Sequence, residues 1–104
     1  MTLESPADLR ATLIRLFPDF AARSDEAETY HQVLMELSPF ITRFLEQGTE
    51  RSAKEFGALV NRMVEAGGTQ QNAIETCLLE HASQVGCAKL HKPHLGPAAR
   101  KELR

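Results

Sequence analysis

Tryptophan is absent from this chain, tyrosine occurs once and cysteine twice. Two cysteines, Cys77 and Cys87, cannot build the multi-bridge framework of small secreted domains, so the fold has to rest on an apolar core. No apolar run approaches the roughly 20 residues that a membrane-crossing helix needs. No charged segment followed by an apolar one marks a secretory leader. The sequence therefore predicts a reduced, cytoplasmic protein that touches no membrane. No stretch alternates apolar and polar residues with period two, so no strand and no sheet are expected. Without a strand, no glycine-rich phosphate loop can follow one.

What is present suits one helical domain spanning residues 1–104. Hydrophobic residues make up 42% of the chain and charged residues 25%, ordinary values for a globular protein. The net charge of −2 argues against generic nucleic-acid binding. The charge is unevenly spread: residues 1–50 carry nine acids and four bases, residues 51–104 five acids and eight bases. The segment Asp19 to Glu36 holds Asp19, Asp25, Glu26, Glu28 and Glu36 against Arg23 alone. Such a patch is either a solvated face or a surface that steers a basic partner.

Helix signals recur along the chain. Ser5-Pro6-Ala7-Asp8 combines a cap, a first-turn proline and a carboxylate, and Leu9, Leu13 and Leu16 follow at helical spacing. Pro18 ends this helix near Leu16 or Phe17, and Phe17 and Phe20 deliver aromatics to the core. Ser24 opens a second predicted helix running to Leu37, with Ala27, Tyr30, Leu34 and Leu37 on one stripe. Ser38-Pro39 starts a third, Pro39 to Gln47, stopped by Gly48. Thr49 or Glu50 opens a fourth whose Phe56, Leu59, Val60, Met63 and Val64 give the cleanest amphipathic pattern in the chain. Gly57 interrupts it at a cost of about 1 kcal/mol relative to alanine, which a close helix crossing would explain. Gly67-Gly68 ends the fourth helix. Thr69 caps a fifth, Thr69 to Val85, expected to be the buried spine on which helices one, three and four pack. Gly96-Pro97 begins a short last helix reaching Leu103. The fold class predicted is all-α: about five helices and a short C-terminal helix.

Candidate chemistry is sparse. Cys87, His91 and His94, with His81 and Cys77 upstream, are ligand types for zinc, but C-x3-H-x2-H is not a common finger spacing and no paired half is present. Cys77 and His81 stand at i, i+4, yet no motif supplies an oxyanion hole or an orienting third group. Helix five carries Glu75 and Glu80 and no Arg or Lys, unlike a DNA-reading helix. No catalytic residue, metal or cofactor is therefore predicted, and no nucleic acid. Asn72 is read as structural, bonding the free amides at the start of helix five. Glu80 is read as a partly buried carboxylate paired with Arg62, Arg100 or Lys101 near the C-terminal segment.

The stretch QQNAIETCLLEHA followed by LGPAARKEL resembles the ending of a family of small helical bacterial proteins, in which a VQN-x-I-x-x-x-FLE helix precedes a loop and LGP. ELSPFITRFLEQG at 36–48 is similar to that family's aromatic-rich helix, and LIRLFPDF at 13–20 to its opening element. Leu78 replaces the family's aromatic before LE, and Ile41-Thr42 replaces a glycine-aspartate step. The resemblance implies a protein–protein role, that of an immunity protein which covers the active site of a cognate toxin. Many such toxins are nucleases with basic clefts, and the acidic segment is the matching complement. Asp25, Glu26, Glu28 and Glu36 are the expected contact residues. A general helical adaptor is the alternative.

Overall fold

The computed structural model describes residues 3–23, 29–79 and 94–102. Its elements are α1 (Pro6–Leu16), a 3-10 helix (Pro18–Arg23), α2 (Tyr30–Leu37), α3 (Ile41–Gln47), α4 (Glu50–Ala66), α5 (Gly68–Cys77) and α6 (Pro97–Glu102). There is no strand among the described residues, and the fold class is all-α as predicted.

Helices α1 and α4 follow their sequence signals closely. The Ser5 hydroxyl accepts from the Asp8 amide at 3.2 Å, and Pro6 occupies the first turn, where a missing N–H costs nothing. Leu9, Leu13 and Leu16 are buried, and Pro18 turns the chain into the 3-10 helix that carries buried Phe20. The Thr49 hydroxyl accepts from the Ser52 amide at 3.1 Å, and α4 then buries Phe56, Gly57, Leu59, Val60, Met63 and Val64 on one side. The aromatics gather under α1: Phe17 stacks on Phe44 at 5.4 Å and meets the edge of Phe56 at 5.5 Å.

Several helix ends differ from the sequence expectation. α2 starts at Tyr30, where Thr29 is extended (φ −132°) and forms a reciprocal capping box with Gln32; the expected start at Ser24 lies outside the described residues. Ser38-Pro39 does not open α3. Ser38 is the C-cap of α2, and α3 begins at Ile41 after a turn through Phe40. Thr69 does not cap α5. Gly67 closes α4 and opens α5 in one step, and it and Gly68 carry φ of +71° and +56°, a backbone region that favours glycine. α5 ends at Cys77 with Leu78 as its C-cap, and the last part of the expected helix, from Glu80 to Val85, lies outside the described residues.

The packing is organised differently too. α5 lies against α4 and α2, and α1 packs on α2 and α4 instead of on α5. α4 is the shared wall, touching α1, α5 and α6. This also accounts for Gly57. A Cβ there would stand 2.5 Å from the His94 Cβ and 2.6 Å from its carbonyl oxygen, so the close approach is between α4 and the C-terminal segment. One turn further along α4, Asn61 grips the same segment. Its Oδ1 accepts from the Gly96 amide at 2.8 Å and its Nδ2 donates to the His94 carbonyl at 3.4 Å. Leu95 and Ala99 are thereby buried.

Candidate functional site

The core encloses nearly every large apolar side chain, and Met35 is the exception. It is 65% exposed, the large hydrophobic residue left at the surface among those described. Its position follows from helical geometry. Leu34 and Leu37 face the core, and a residue directly after Leu34 is turned about 100° away from that stripe. Met35 borders an open groove of about 390 Å³ lined by Met35, Ser38, Pro39, Thr76 and Cys77.

The groove lies where α2 and α5 end. Their first turns meet at Leu3, whose carbonyl accepts from the Tyr30 hydroxyl at 2.9 Å and from Gln70 Nε2 at 3.0 Å. Their last turns flank the groove. The groove therefore sits beside two helix C-termini, neither with a base in its last turn.

A short polar ladder crosses the same face. Asn72 Nδ2 lies 3.3 Å from His31 Nε2, and Asn72 Oδ1 accepts from the Thr76 hydroxyl at 3.3 Å. Beside it, the Cys77 thiol points to the His31 carbonyl at 3.9 Å. Burial raises the pKa of Cys77 above the ordinary thiol range, so the side chain behaves here as a weakly polar packing group. The Tyr30 hydroxyl is likewise pushed up, first by desolvation and then by the charge of Asp8, with the Gln70 contact working in the opposite direction.

The sequence-predicted residues fall in several places. Asn72 is exposed and bonds His31 and Thr76; it does not secure the start of α5, because its side chain reaches across to α2. Glu36 is half-buried on α2, next to Met35. Asp25, Glu26, Glu28 and Glu80 lie outside the described residues, as do His81, Cys87 and His91. His94 presents its backbone carbonyl to Asn61. Among the described residues no three His, Cys, Asp or Glu side chains gather as a metal-binding group, and no helix is long and apolar enough to cross a membrane.

Sequence reasoning passed over His31, Met35 and Asn61. Met35 did carry a signal: it is an apolar residue off the stripe of its own helix. Asn61 carried another, a poor helix former one turn after Gly57 in an otherwise regular helix. The partnership of His31 with Asn72 spans 41 positions and had no local signature.

Comparison with known families finds that the model of a domain of unknown function, DUF7674, matches residues 10–104. No curated protein and no solved structure matches the chain.

Proposed function

The chain belongs to the DUF7674 family, and we propose that it is a protein-binding module, an immunity protein that neutralises a cationic toxin by covering its active site. The observation that carries this reading is the α2–α5 face. Exposed Met35 stands over an open groove edged by the hydroxyl residues Ser38 and Thr76, and Thr76 bonds Asn72, which in turn meets His31. An exposed apolar anchor inside a polar rim is the usual anatomy of a protein interface. Two helix C-termini without a last-turn base add negative potential, and so does the acidic composition of residues 19–36, which includes Asp25, Glu26, Glu28 and Glu36. Both features favour a basic partner.

The test pairs this chain with the product of the adjacent gene, in growth-protection and association assays. Co-expression should relieve toxicity, and the two chains should co-elute. Met35→Asp should weaken the complex by about tenfold or more, since a buried anchor is replaced by an unpaired charge. Reversing Asp25, Glu26, Glu28 and Glu36 together should slow association chiefly at low salt. A neighbouring product that is harmless alone and never co-elutes would overturn the reading.

A further inference from the structure

A second concavity lies on another part of the surface, where α1 and α3 end side by side. It is an open notch of about 140 Å³ lined by Leu16, Phe17, Pro18, Asp19, Phe44, Gln47 and Gly48. That is well below the roughly 300–1,000 Å³ of sites for drug-sized ligands, and it suits a single extended side chain. Its floor is the outer edge of the Phe17–Phe44 pair, whose residues are only 4% and 6% exposed. Asp19 is exposed and stands at its edge.

Two features of the notch favour positive charge, Asp19 and the C-terminal end of α3. Asp19 supplies a carboxylate, and among the described residues no cation meets it. α3 ends at Gln47 with no base in its last turn, and Gly48 follows in extended conformation. α1 does carry a base there, Arg15, but its guanidinium is drawn to Glu55 at 3.8 Å. Arg51, just beyond Gly48, pairs with the same Glu55 at 3.5 Å. Arg15 and Arg51 are thus both turned toward α4.

From this geometry we infer that the notch receives one arginine side chain of the protein partner, its guanidinium meeting Asp19 and its stem lying along Phe17 and Phe44. Arginine fits better than lysine for two reasons. Its planar head carries several N–H groups that can reach a carboxylate and helix-end carbonyls together. It is also the more weakly hydrated cation, so less is lost on leaving water. The inference rests on the protein-binding reading above, and it adds a second, charged anchor to the apolar one at Met35.

The test uses the intact chain and a small probe, N-acetyl-arginine methylamide, with the norleucine analogue as an uncharged control. Nuclear magnetic resonance titration should move the Gly48 amide and the ring signals of Phe17 and Phe44 with the arginine probe and leave them in place with norleucine. Asp19→Asn, a change at an exposed side chain, should weaken probe binding several-fold. Gln47→Lys should abolish it by placing the chain's own cation at the notch. Equal shifts with both probes, or an unchanged titration in Asp19→Asn, would overturn the inference. The wider reading fails in a different way: if the adjacent gene product never binds while the arginine probe does, the notch stands and the partner assignment falls. If the partner binds Asp19→Asn as tightly as the original chain, the partner stands and the notch falls.

Discussion

α4 and α5 are joined through one glycine, yet they meet the rest of the chain in opposite ways. On α4, the surface around Gly57 and Asn61 is closed by the chain's own residues 94–96, with a backbone approach that leaves no room for a Cβ. On α5, the surface around Asn72, Thr76 and Cys77 is left open beside an exposed methionine. The first contact is specified by a glycine and a two-point amide grip. The second is spanned by single hydrogen bonds between exposed side chains, each worth little on its own. The difference separates a surface spent on folding from one available to a partner, and it makes opposite demands on substitutions.

The largest effect is expected on the closed side. Gly57→Leu drives a side chain into the His94 backbone and should cost about 3 kcal/mol. Thermal unfolding should register this as a drop in Tm of more than about 10 °C. Asn61→Ala should follow, at about 1–3 kcal/mol, because the Gly96 amide loses its acceptor in a half-buried position. Urea titration would measure it. The smallest stability effect belongs to the open side: Met35→Ser and Asn72→Ala should each stay within about 0.5 kcal/mol of the original chain, since both residues are exposed. The same pair should nonetheless weaken partner binding. A large loss of stability in Met35→Ser would erase the contrast between the two surfaces.

The sequence disclosed the elements with a complete local signal. α1 has a cap, a proline, an acid and a leucine stripe, and α4 has a threonine cap and the most regular stripe. Their bounds could be read directly. Where two caps competed, the local signal misled. For α2 the start at Tyr30 needed Thr29 and Gln32 together, three residues apart, to complete the reciprocal bonds. Ser38-Pro39 has the composition of a helix start, yet Ser38 remains in the last turn of α2 and donates its amide to Leu34. Thr69 has the chemistry of a cap, but the positive φ of Gly67 and Gly68 opens α5 before it. The open face was the least legible because it is a relation between helices. Asn72 was noticed as a polar residue needing a reason, and the reason, His31, comes from α2. Gly57 was noticed in the same way, and its reason is the backbone of His94.

One consequence follows from the corner at Gly67. Because a single residue serves as the end of α4 and the start of α5, no loop exists there to absorb a change in length. One residue inserted in the first turn of α5, between Gly68 and Asn72, would rotate the rest of the helix by about 100° relative to the corner. Asn72 and Thr76 would swing away from His31, while buried Ala73 and Ile74 would turn outward. Length variation across this corner is therefore as forbidden as a core mutation, although Gly68 itself is open to solvent on every side. Grafting or loop engineering in proteins of this architecture has to leave residues 66–68 at fixed length and use the ends of α2 and α3 instead.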